Sequence, residues 1–77
     1  MIRVRFFAAA EEAAGAAEEL RDEATLDALR AALVEDHPGL AGVLPRCALL
    51  VDGSRHDADT PLAPDATIDV LPPFAGG

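Results

Sequence analysis

The chain has 77 residues and a formal charge of −8, from 14 Asp or Glu set against six basic residues, all of them Arg. That length allows one domain at most, and a Leu, Ile, Val and Phe content of about 26% lies above the roughly 20% below which a charged chain stays disordered, so a fold with a thin core is expected. Apolar runs fall far short of the ~18 residues of a membrane helix, no basic-then-apolar leader is present, an acidic chain repels phosphate backbones, and the single cysteine, Cys47, closes neither an internal disulfide nor a zinc cage; the expectation is a cytoplasmic domain with no membrane or nucleic-acid partner.

Residues 2–7 alternate. Ile2, Val4 and Phe6 share one face and Arg3, Arg5 and Phe7 the other, which predicts a strand with one buried side. The run 8–15 is rich in Ala and Glu and closes on Gly15, a short helix or turn. Residues 16–21, with Leu20 as the only large apolar side chain, read as a weak edge strand folded back on the first. The clearest helix follows. Thr25 reads as the N-cap, with Asp22, Glu23 and Asp27 near the positive end of the dipole. Leu26, Leu29 and Leu33 form one stripe, Asp27 and Arg30 sit at i, i+3 on the solvent side, and His37-Pro38-Gly39 stops the helix. Residues 40–45 form a loop or single turn with Leu40, Val43 and Leu44 free to pack.

Residues 47–51 are apolar on both faces, which predicts a central or covered strand. Asp52-Gly53 is the strongest hairpin signal in the chain, and residues 54–58 are a short polar return strand suited to an edge. Turns at 60–62 and 63–65 lead to a last strand over 67–71, with Ile68 and Val70 inward and Thr67, Asp69 and Leu71 outward. The order is strand, strand, helix, strand, short strand, strand. One helix covers one sheet face, and the best-patterned strands, first and last, are expected to be central neighbours. The fold class is α+β: a β-grasp, a mixed sheet packed on one main helix, in a single domain over 1–77 with 72–77 as a projecting tail.

The most informative stretch is the last. Pro72-Pro73 stiffens the chain as it leaves the final strand. Gly76 and Gly77 lack side chains, so the end can thread a channel too narrow for a Cβ and present a carboxylate at its tip. Phe6-Phe7-Ala8, Gly15, the Leu- and Ala-rich helix, His37-Pro38-Gly39, Asp59-Thr60-Pro61-Leu62 and above all Leu71-Pro72-Pro73-Phe74-Ala75-Gly76-Gly77 resemble the MoaD/ThiS-type sulfur carriers, MoaD in particular, over the whole length of the chain. The resemblance implies a ubiquitin-like fold and a small, non-catalytic carrier subunit of molybdopterin synthase. It implies that Gly77, with Gly76 beside it, is the reactive end. A ubiquitin-activating-type enzyme adenylates Gly77, a sulfur donor protein supplies sulfur for a thiocarboxylate, and the tail enters the large subunit of the synthase to serve molybdenum cofactor synthesis. No bound cofactor is implied; the glycyl adenylate and thiocarboxylate are covalent states of the chain itself. Carriers for thiamine, cysteine or tRNA thiolation, and ubiquitin-like protein modifiers, are the alternatives, with an inert-tailed binding module as a third class. The chain departs from the MoaD pattern at Glu11-Glu12-Ala13-Ala14 and at Arg55, positions that bear on partner fit.

By parity Phe7 and Leu71 both point away from the core face. If the outer strands are parallel neighbours, the two meet beside the tail and form, with Pro72, Pro73, Phe74 and Ala75, a partner-binding surface; both side chains are expected to be largely exposed. The other candidates read as structural. Cys47 is a buried thiol. Ser54, His56 and Asp57 crowd one turn where a triad needs separated elements. His37 is a C-terminal dipole partner. Glu11-Glu12 and Glu18-Glu19 are solvated surface. His37, His56 and Cys47 lack metal-site spacing.

Overall fold

A computed structural model describes residues 1–73. The elements are β1 (Ile2–Phe6), α1 (Ala9–Ala14), β2 (Glu18–Arg21), α2 (Leu26–Asp36), β3 (Ala48–Val51), β4 (Ser54–Arg55) and β5 (Thr67–Leu71), with two 3₁₀ turns, Pro38–Gly42 and Leu44–Arg46, between α2 and β3. The sheet order is β2-β1-β5-β3-β4. β1 and β5 are parallel and central, in the register Arg3↔Thr67 to Phe6↔Val70. The other pairings, β1–β2, β3–β5 and β3–β4, are antiparallel. This mixed five-stranded sheet on one main helix is the expected β-grasp architecture.

Period-two patterning decides which face is buried. Ile2, Val4 and Phe6 of β1, Ile68 and Val70 of β5 and Leu49 of β3 pack with Leu26, Leu29 and Leu33 of α2 in one core. Every residue of that core is apolar, and among the described residues no buried side-chain polar atom lacks a partner. α2 starts where the capping signal placed it: Thr25 Oγ1 accepts from the Ala28 N–H at 3.2 Å. Asp27 and Arg30 pair at 2.9 Å on its outer side. Gly15 ends α1 at φ 77°, a conformation open to glycine. The β3–β4 turn places Asp52 at φ 49° and Gly53 at φ 87°, the two positive values a type I′ hairpin requires.

Three expectations need correction. The return strand predicted over 54–58 spans only Ser54–Arg55. Beyond His56 the chain leaves the sheet to serve the start of α2: Asp59 Oδ1 accepts from the Asp27 N–H at 2.8 Å, and the Thr60 carbonyl accepts from the Leu26 N–H at 2.9 Å. The loop or single turn expected over 40–45 is instead covered by two 3₁₀ turns, one burying Leu40 and the other Leu44. β3 starts at Ala48, one residue later than predicted, and lies second from the sheet edge with Leu50 half-buried on the face away from α2.

One polar cluster ties the far edge strand to the helix. The Arg21 guanidinium, 12% exposed, donates to Glu19 at 2.6 Å, Glu23 at 2.7 Å and Asp36 at 2.7 Å. Hydrogen bonding to Glu23 is the main cause that holds Arg21 well above the ordinary guanidinium value, and the same bond holds the Glu23 carboxyl below the usual carboxylate range. His37 joins through Nε2, 2.7 Å from Glu19 Oε1, with its ring edge-on to Phe6 at 6.0 Å. His37 therefore does more than meet the helix dipole, and Glu19 is not merely solvated surface.

Leu29 is fully buried at the middle of the α2 stripe. Leu29→Ala should lower unfolding stability by ~2–5 kcal/mol, a large share of what so small a domain holds. Thermal denaturation checks this; a melt equal to wild type would show that this face of α2 does not carry the core.

Candidate functional site

The site is the end of the sheet where β5 runs out. Pairing with β3 stops at Leu71↔Ala48, and the next two residues are prolines, which have no N–H to continue a ladder. The Phe7 N–H donates to the Val70 carbonyl at 3.2 Å, which carries the parallel register one step past β1 and sets Phe7 alongside Leu71. Phe7, Leu71, Pro72 and Pro73 thus come together at one end of the domain. Phe74, Ala75, Gly76 and Gly77 lie outside the described residues.

Both side chains are more covered than the largely exposed pair expected. Phe7 is 38% exposed and, with Met1 and Leu20, is one of three exposed large apolar side chains among the described residues. Leu71 is half-buried. On its own face it lines a depression with Arg46, Ala48, Arg55, Pro72 and Pro73. The turn after Phe7 is tight. Ala8 sits at φ 51°, where a Cβ is disfavoured, and the Ala10 N–H donates to the Phe7 carbonyl at 3.0 Å.

Electrostatics on this face come from a cross-strand pair. Arg5 of β1 faces Asp69 of β5 in register and donates twice to its carboxylate, at 2.6 and 2.9 Å. These bonds are the main reason the Arg5 guanidinium is held above its ordinary value. The same guanidinium lies over the Phe7 ring, 5.8 Å from its centroid, within cation–π range. Asp69, Arg5 and Phe7 form a row across the outward face of β1 and β5. The Arg5–Asp69 partnership went unassigned in the sequence, although parity and neighbouring strands already put both residues on the outward face.

The remaining candidates fall to structural roles. Cys47 Sγ donates to the Val43 carbonyl at 3.3 Å, and burial pushes the thiol up, away from the reactive thiolate. Asp57 is taken by Arg55 Nε at 3.1 Å, on the exposed arm of a hairpin. Among the described residues no cluster of His, Cys, Asp and Glu is arranged to hold a metal ion, and no helix is long and apolar enough to cross a membrane.

A mixed sheet in the order β2-β1-β5-β3-β4 on one long helix defines a ubiquitin-like β-grasp domain. The solved structures it resembles agree. Small archaeal modifier protein 1 from Methanosarcina acetivorans superposes with a TM-score of 0.86 at 23% identity, covering 99% of this chain and 95% of that one. Its counterpart from Haloferax volcanii gives a TM-score of 0.81 at 24% identity, with 99% and 98% covered. A chain from the complex of subunits 1 and 2 of molybdopterin-converting factor from Helicobacter pylori gives 0.76 at 30% identity, with 99% and 97% covered. A search of curated proteins found no significant match. The ThiS family model matches residues 4–77, so the chain belongs to the ThiS family, with MoaD-type and small-modifier structures among its neighbours.

Both side chains are more than half covered. Phe7→Ala and Leu71→Ala should each lower unfolding stability by ~1–2 kcal/mol, the cost of truncating a partly buried apolar side chain. Thermal melts equal to wild type would contradict the packing described.

Proposed function

We propose that this chain is the sulfur-carrying subunit for molybdopterin synthesis, with Gly77 as its reactive end. The observation that supports this most directly is the match of the ThiS family model through Gly77, on a domain whose central strand β5 leads straight into Pro72-Pro73 beside an exposed Phe7. In this reading a ubiquitin-activating-type enzyme converts the Gly77 carboxylate and ATP to an acyl-adenylate, releasing pyrophosphate. A carboxylate is a poor electrophile, and the adenylate supplies the leaving group. The outer sulfur of a donor protein's persulfide displaces AMP to give an acyl disulfide, and a thiol then cleaves its S–S bond, leaving a thiocarboxylate on the chain and a disulfide on the donor side. The chain is then a covalent cofactor whose reactive atom its partners position. Gly76 lets the tail pass a narrow channel.

Phe7 and Leu71, with Pro72, Pro73, Phe74 and Ala75, dock the large subunit, and Arg5 holds the Phe7 ring in place for that contact. The 30% identity to a chain from the two-subunit Helicobacter pylori complex supports a large-subunit partner here.

Reconstitution tests the reading. The chain, its adenylating enzyme, a sulfur donor, the large subunit and the pterin precursor should together yield molybdopterin. Deleting Gly77 should abolish product while the domain melts as wild type, and Phe7→Ala should weaken large-subunit binding about tenfold or more, as central aromatic anchors do. Full product from the Gly77 deletion would refute the carrier role. Failure to bind the large subunit, with sulfur passed instead to thiamine, cysteine or tRNA enzymes, would move the chain to another pathway. Isopeptide linkage of Gly77 to lysines of other proteins would make it a modifier.

A further inference from the structure

A second concave surface lies away from the open sheet face. A cavity of about 540 Å³ opens between α2, the second 3₁₀ turn and the β3–β4 hairpin, within the roughly 300–1,000 Å³ range of ligand pockets. Val34, Cys47 and Leu49, all buried or half-buried, give it an apolar floor, and Arg30, Arg46 and Arg55 stand around it. Three of the chain's six arginines line this groove, against one of its 14 acidic residues, Asp57. On a chain of charge −8 half of the arginines thus share one groove, while Arg3, Arg5 and Arg21 are spread over β1 and β2, each paired with carboxylates.

The cations remain available. Arg30 pairs with Asp27 at 2.9 Å and Arg55 with Asp57 at 3.1 Å, but both carboxylates are well exposed, at 62% and 82%. Such pairs are worth little and exchange readily for better ones. Among the described residues Arg46 has no ion pair. Arg46 and Arg55 also line the depression beside Leu71, Pro72 and Pro73, so the cationic surface runs on to the root of the tail.

We propose that this groove binds an acidic peptide segment of a partner protein that buries one apolar side chain on the Val34–Leu49 floor. A small anion would use the arginines and leave the floor idle. Nucleic acid or an anionic membrane would bring its charge against the acidic remainder of the surface. A short acidic segment with an apolar anchor uses both features, and charge complementarity confines it to this face.

The test is a titration of the isotope-labelled full chain with a synthetic peptide of Asp and Glu flanking one Leu, followed by amide chemical shifts. Shifts should centre on Ala31, Val34, Cys47, Leu49 and His56, and binding should weaken as salt rises. Combining Arg46→Gln with Arg55→Gln, both exposed positions, should weaken binding about tenfold or more with an unchanged melt, and exchanging the peptide's Leu for Ala should weaken it by a similar factor. Equal affinity in the double variant, shifts centred on Arg3, Arg5 and Phe7, or inorganic phosphate moving the same amides as strongly as the peptide would each overturn the proposal. A chain lacking Gly77 should bind the peptide as wild type does, so this result stands apart from the chemistry of the tail.

Discussion

The parallel ladder between β1 and β5 is the constraint on which the rest of the molecule depends. Its register pairs Val4 with Ile68 and Phe6 with Val70 toward α2, and Arg5 with Asp69 on the opposite face. One step further, the Phe7-to-Val70 hydrogen bond brings Phe7 to Leu71. A slip of one residue would turn Phe6 or Val70 out of the core and separate Phe7 from the tail at once. Core packing and site geometry are therefore one specification. Parallel pairing needs a long crossover, and here most of the chain lies between the two strands, including α2, which covers the face they share.

Around that ladder the domain divides labour by face. The α2 side is wholly apolar among its buried residues, and it provides the stability. The opposite side carries Arg3, Arg5, Phe7 and Leu20, all exposed, which suits it to contact rather than to packing. The Arg21 cluster completes the first task at the edge: three carboxylates from β2, the following loop and the end of α2 converge on one guanidinium. Gathering charges out of water is costly unless their hydrogen bonds are well met, and here the fork geometry of arginine meets them.

Most of the fold was legible in the sequence, because period-two alternation in residues 2–7 and 67–71 and the Leu26-Leu29-Leu33 stripe report burial directly. What local pattern missed was set by distant partners. The return strand stops at Arg55 because residues 59 and 60 are needed at the start of α2. Glu19 and His37, read separately as surface and helix end, meet only because β2 packs beside the end of α2. At the site, parity placed Phe7 and Leu71 on the outward face but could not tell how far each is covered: Phe7 is 38% exposed and Leu71 half-buried. The groove of three arginines was invisible for the same reason, since Arg30, Arg46 and Arg55 belong to three separate elements.

The central claim is that the domain is a scaffold for a chemically reactive end. Intact-mass spectrometry tests it most directly, on the chain incubated with its adenylating enzyme, ATP and a sulfur donor. The account predicts a gain of about 16 Da, one oxygen exchanged for sulfur, mapped by fragmentation to Gly77, as a covalently loaded carrier requires. An unchanged mass, or the same gain located on Cys47, would contradict it.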